Sequence, residues 1–363
     1  MTADASGLDV AVGQRLQRLM ARHRIAGAQY LLSVGGRVRV EHALGVADAV
    51  RGSAVTTATT FNLYSITKPF TAACTVAAAE RGAFDLDAPV AVASGEPALA
   101  SFGTVRDTLL HRAGFPNPLP LRWVHDAAED AAFDEHAFVA QRLQALRGRT
   151  VRRGRAAYSN LGYLALGRAV ERATGQPFRH AVQGCLLDKL PRLDGSALGF
   201  GIGDPGRHAR GLLPRCSALA LVLRWLVDAR LVDGPAGPWR QIRPHCVNGS
   251  AYGGLVGNAR GLAAFGHAML GLGGACGIAR EPLLATAPGP GPARTLAWFE
   301  GRLQGRRWLA HAGGGLGGYG ELRLYPELEV VSVLVSNAPG LRDHRWLDLL
   351  DAPGLAAAAR ERA

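Results

Sequence analysis

The strand-like segments of this 363-residue chain lie towards its two ends. On one side, "AQYLLSVGGRVRVEHALG" reads as two β runs joined by Gly35-Gly36, a pair suited to a two-residue hairpin turn. On the other, "RRWLAHAG", "YGELRLYP" and "LEVVSVLVSN" read as three further strands, the last two joined by a short turn near Pro326 and Glu327. Between them the pattern is mostly helices and loops up to about residue 270. Apolar strands so far apart in sequence can bury their faces only by meeting. The expected fold is therefore α+β: one antiparallel sheet built from the N- and C-terminal segments, flanked by helices, with a mostly helical lobe inserted. We expect a single domain over 1–363, with lobes at 1–80 plus 255–363 and at 81–254 and a cleft between them.

Several helices can be read directly. Leu8, Val12, Leu16, Leu19 and Met20 recur at helical spacing. A second helix is expected from about Ser65 to Arg81, ending near Gly82. "LGYLALGRAVERATGQP" forms a third, with Asn160 as its N-cap, Gly175 just past its end and Pro177 beyond. "HRWLDLL" starts a closing helix.

Composition narrows the class. Hydrophobic residues make up 48% and charged ones 19%, as in an ordinary globular protein and unlike a disordered one. No apolar run reaches the roughly 18 residues needed to span a bilayer, so no membrane association is expected. The first residues lack a basic start, an apolar core and a cleavage site, which points to a cytoplasmic protein. Cys74, Cys185, Cys216, Cys246 and Cys276 are scattered, without any CxxC, and read as reduced thiols rather than a disulfide framework or zinc site. The net charge of +12 is spread along the chain, and even its densest run, "RGRTVRRGR" (147–155), is not read as a nucleic-acid surface.

One residue stands out against this background. Of the 41 basic side chains only Lys68 and Lys189 are lysine, and Lys68 follows Ser65 by three positions in "FNLYSITKPFTAA". Residues i and i+3 share a helix face, so the two side chains can meet. A cation in the first helical turn opposes the helix dipole at a cost of about 0.3–1 kcal/mol. The dipole and burial together push a lysine there towards its neutral, basic form, which arginine cannot adopt. Pro69 is tolerated near a helix start, where free backbone N–H groups can hold an oxyanion. A serine hydroxyl needs such a neighbour to take its proton.

Two further stretches accompany this pair: "AAYSNLGY", with Tyr158 just before a helix, and "LAHAGGGLGGYGEL". The second contains a formal GxGxxG from Gly313 to Gly318, but strand sequence follows it where a dinucleotide loop needs a helix. A glycine-rich strand end instead lets a ligand lie against bare backbone. There is no GxSxG elbow and no HExxH, so neither an α/β-hydrolase nor a catalytic metal is expected, and His111 is read as fixing a loop.

Ser65-Ile66-Thr67-Lys68, Tyr158-Ser159-Asn160 and His311-Ala312-Gly313 resemble, in order and spacing, the motifs of the serine β-lactamase and penicillin-binding-protein superfamily. The resemblance is greatest to the class C β-lactamase and esterase branch and runs from about residue 10 to 340. It implies that Ser65 is acylated, that Lys68 with Tyr158 acts as base, and that Tyr158 passes a proton to the leaving group. Asn160 would bind Lys68 and substrate, and the N–H groups of Ser65 and Gly314 would form the oxyanion hole. His311, Gly313 and Gly314 would line the substrate. The β-lactamases usually have lysine where this chain has His311, whose neutral ring attracts a substrate carboxylate less.

The leading expectation is thus a cofactor-free serine hydrolase of carboxylesterase type acting on a small ester, amide or lactam. β-Lactamase or D,D-peptidase activity, acyl transfer and a non-catalytic binding role are the alternatives.

Overall fold

The computed structural model describes residues 2–118, 120, 122–149, 151, 156–217, 227–272, 277–289, 293–339 and 345–362, with side chains from residue 7. Thr150 and residues 152–155 of the arginine-rich run, and Cys276, lie outside the described residues.

Seven strands form the principal sheet: β1 (Gly27–Val34), β2 (Arg37–Asp48), β3 (Ser53–Ala54), β4 (Phe299–Leu303), β5 (Arg306–Gly315), β6 (Gly318–Tyr325) and β7 (Val330–Ser336). Their order is β4-β5-β6-β7-β1-β2-β3, so the two ends of the chain meet where β7 pairs antiparallel with β1. The β1–β2 turn is the expected one. Gly35 and Gly36 have φ of 56° and 78°, the left-handed values that a type I′ turn demands at both central positions.

Among the described residues, the helices of eight residues or more are α1 (Thr2–His23), α2 (Thr67–Glu80), α3 (Glu135–Gln144), α4 (Asn160–Thr174), α5 (Phe178–Cys185), α6 (Ala259–Leu270) and α7 (Arg345–Arg362). Val12, Leu16 and Met20 of α1 are buried with Leu347, Leu350 and Leu355 of α7 against Tyr30 and Leu32 of β1. Alternate residues on β1 and β7, such as Leu31 and Val333, face a second apolar cluster that includes Phe265 of α6. Cover on both faces explains why all seven residues of "VVSVLVS" are buried and why valine and leucine dominate it.

Polar anchors fix α7 beneath the sheet. Buried Asp351 accepts hydrogen bonds from Tyr30 (2.8 Å), Tyr325 (2.7 Å) and Ser332 (2.6 Å). Fully buried Arg323 joins Glu321 on its own strand to Asp348 on α7. Buried charges are tolerable only when paired in this way.

The larger apolar cluster runs without a break from Leu31 and Leu322 in the sheet through Phe70 of α2 to Leu164 of α4. The middle of the chain is less helical than its pattern suggests. Among the described residues it contains three small sheets, one of them Phe61–Asn62 with Leu255–Gly257 and Leu198–Phe200. Strands of two to five residues are too short to show a period of two. Strand β4 also departs from the sequence reading, with Gln304 (φ 51°) and Gly305 (φ 76°) making a tight turn into β5. The Gly313–Gly318 segment runs strand to strand, with Gly315 opposite Gly318, as its sequence context suggests.

Candidate active site

Ser65 sits in a single 3-10 turn, Tyr64–Ile66, that leads directly into α2. Tyr64 has φ of 47°, a left-handed value that is unfavourable for a bulky residue and needs outside support. That support comes from its buried hydroxyl, which donates to the Leu316 carbonyl (2.7 Å) and lies 3.1 Å from His245 Nε2. The Thr67 hydroxyl donates to the Tyr64 carbonyl (2.6 Å) and closes the turn. Half-buried Ser65 is thereby held at the entrance of α2.

Lys68 lies one turn on and is fully buried. Its Nζ is 3.0 Å from Ser65 Oγ, 2.9 Å from Asn160 Oδ1 and 3.0 Å from the Tyr252 carbonyl. Among the described residues it has no ion-pair partner, and burial holds its pKa well below the ordinary lysine value. A neutral amine fits these contacts. Its two N–H bonds donate to Asn160 and Tyr252, and its lone pair is left for the Ser65 hydroxyl.

The rings of Tyr158, Tyr252 and Tyr163 surround the amine at 4.8, 5.3 and 5.4 Å. Burial raises the pKa of the Tyr158 phenol, and interaction with the Ser65 hydroxyl offsets part of the rise. Tyr158 is fixed from behind by His111. The His111 carbonyl accepts from Ala157 N–H (2.8 Å), its Nδ1 accepts from Ser159 N–H (3.2 Å), and its ring lies 4.5 Å from the Tyr158 ring. His111 thus braces the loop, as its sequence context suggests.

The third stretch approaches along β5. His311 is buried, and its Nδ1–H donates to the Ala297 carbonyl (2.6 Å). Burial pushes its pKa down to about 3, so the ring is neutral. Gly313 is buried against the serine turn. A Cβ there would lie 2.9 Å from Ser65 N and 3.0 Å from Ile66 N and would overlap the Leu63 carbonyl. Gly314 is exposed, and a Cβ on it would meet only ordinary contacts at 3.7 and 3.8 Å. The strand end therefore seals against the serine turn at Gly313 and leaves Gly314 open.

All seven sequence-nominated residues thus belong to one neighbourhood, with one correction. Asn160 is the first residue of α4 and not its cap. Ser159 is the N-cap, accepting from Gly162 N–H (3.2 Å), which frees the Asn160 amide for Lys68. Tyr64, Asn117 and the Tyr252 carbonyl were not singled out by the sequence. Asn117 Oδ1 accepts from Asn160 N–H (3.1 Å).

Two other features lie outside this site. A cavity of about 770 Å³ beside α4 is lined by Glu135, Arg168, Glu171, Phe178 and Arg179 among others, and by none of the seven residues. His125, Asp130 and Cys246 bring potential metal ligands within 4.8 Å of one another. Arg179 already holds both oxygens of Asp130, at 2.7 and 2.9 Å, so a cation is in place there.

The fold as a whole is that of solved β-lactamase structures. The chain belongs to the Beta-lactamase family, whose model matches residues 12–353. It is 27% identical over 227 residues to the esterase EstB of Burkholderia gladioli, an alignment covering 57% of this chain and 55% of that protein. The chain thus spans about half the length of this curated relative. The crystal structure of SurE superposes with a TM-score of 0.71 at 25% identity, covering 97% of this chain and 77% of SurE. A β-lactamase/D-alanine carboxypeptidase from Pseudomonas syringae gives a TM-score of 0.74 at 19% identity, covering 96% of this chain and 99% of that one. Among the described residues no helix is long and apolar enough to cross a membrane.

Proposed function

We propose that the protein is a carboxylesterase that cleaves a small, uncharged ester through an acyl-Ser65 intermediate. The observation that carries this reading is the buried Lys68 amine, 3.0 Å from Ser65 Oγ and without an ion-pair partner among the described residues.

In this reading Lys68 takes the Ser65 proton as Oγ attacks the ester carbonyl. The N–H groups of Ser65 and Gly314 hold the developing oxyanion, a contribution of about 10²–10³ in rate per donor. Tyr158, protonated at neutral pH, delivers a proton to the departing alcohol and is reprotonated from Lys68. Water then attacks the acyl-enzyme by the reverse proton path. Asn160 holds the amine in line throughout. His311 supports the ester preference, because a neutral ring offers a substrate carboxylate no fixed charge. The name of the esterase relative agrees with it.

The test is intact-mass analysis with turnover of p-nitrophenyl butyrate and nitrocefin. We expect an acyl adduct on Ser65, faster ester than lactam turnover, and a loss of at least about 10³-fold in Ser65→Ala. Wild-type ester turnover by Ser65→Ala would overturn the assignment of the nucleophile. Faster nitrocefin turnover would overturn the ester preference.

A further inference from the structure

Cys74 and Cys185 are separated by 111 positions, yet their sulfur atoms lie 2.7 Å apart. Both are free thiols. The separation is shorter than the usual approach of non-bonded sulfurs, and a disulfide bond of about 2.05 Å needs only a small further movement. Cys74 is on α2, the helix that carries Lys68, and Cys185 ends α5.

The two thiols differ in ways that matter for oxidation. Cys74 is buried, whereas Cys185 is half-buried and open to a small reagent. Interaction with the Cys74 sulfur, together with the charges of Arg81 and Lys189, holds the Cys185 pKa below the ordinary thiol value. Cys74 is pushed the other way by the same pairing and by burial. A half-buried thiol with a lowered pKa beside a buried partner thiol is the arrangement of a redox-responsive cysteine pair. Lys189, the second of the two lysines, stands at this site.

We propose that Cys74 and Cys185 form a redox-active dithiol that a hydroperoxide converts to a disulfide joining α2 to α5. The Cys185 thiolate attacks the peroxide O–O bond and becomes a sulfenic acid, and the alkoxide or hydroxide released takes a proton. Cys74 then attacks the sulfenic sulfur, and the hydroxyl leaves with the Cys74 proton as water. Two thiols are oxidised by two electrons and the peroxide is reduced. The bond closes a loop containing most of the inserted helices, so it restricts the unfolded chain and stabilises the fold. This chemistry does not depend on ester hydrolysis.

The test uses the full-length protein, reduced, freed of reductant and treated with stoichiometric hydrogen peroxide. We expect a mass loss of about 2 Da, a non-reduced peptide linking Cys74 to Cys185, and a melting midpoint raised by on the order of 5 °C. Dithiothreitol should reverse all three. Cys185→Ser should abolish the mass loss, whereas Cys216→Ser should leave it intact. Oxygen added at other cysteines, with Cys74 and Cys185 still alkylated after unfolding, would overturn the proposal. Peptide mapping of the wild-type protein decides this even if a variant fails to fold.

Discussion

At the scale of single residues, the arrangement at Lys68 depends on an amine that can exist without its proton. Arginine in that position would keep a positive charge among three tyrosine rings, with no carboxylate among the described residues paired to the lysine it replaces. Lys68→Arg should therefore lose acylation nearly as completely as Lys68→Ala, by about 10²–10⁴-fold. Pre-steady-state release of p-nitrophenol measures this, and an active arginine variant would mean that only charge was needed. The pH profile follows from the same groups. Because the lysine pKa is lowered, activity should rise with pH as the amine loses its proton, while Tyr158, with its raised pKa, stays protonated at neutral pH.

At the scale of elements, the site depends on how closely β5 lies against the serine turn. Gly313→Ala would push the strand end away from Leu63, Ser65 and Ile66. Misplacing a catalytic group by about 1 Å can cost 10²-fold. We expect that loss in acylation with an unchanged far-UV spectrum, and near-normal turnover by the variant would show that the approach is looser than drawn here. Much of this level was legible in the sequence. The hairpin announced itself through Gly35-Gly36, and the end of α4 through Gly175. What escaped did so for physical reasons. The Tyr252 carbonyl is a backbone group and carries no residue signature. By residue type Asn160 suits a cap, but the distant Lys68 recruits its side chain and Ser159 caps the helix instead. Cys74 and Cys185 meet only through tertiary packing.

At the scale of the whole molecule, buried histidines make the fold sensitive to acid. His311 and His208 have pKa values lowered to about 3, and His267 to about 4, in each case chiefly by burial. Between those values and about 6.5 the unfolded chain binds more protons than the folded one. Stability therefore falls as pH drops through this window. From pH 7 to pH 5 each histidine withdraws about 2 kcal/mol, a substantial part of the 5–15 kcal/mol typical of a domain. His125 opposes the trend, since its pKa is raised by Asp130 and Asn248 against the effect of burial. The net expectation is a melting midpoint clearly lower at pH 5 than at pH 7, and equal midpoints by scanning calorimetry would contradict it.

The same long-range construction governs when the serine can act. Ser65 has its amine early, but the asparagine that aligns that amine and the strand end that seals the turn come from around residues 160 and 313. A chain emerging from the ribosome therefore carries Ser65 unarmed through most of its synthesis. The full set of contacts around Ser65 exists only when β5 and β6 have paired with β7, and β7 has closed onto β1. On the mechanism proposed above, a half-made chain therefore holds its serine without the partners that acylation requires.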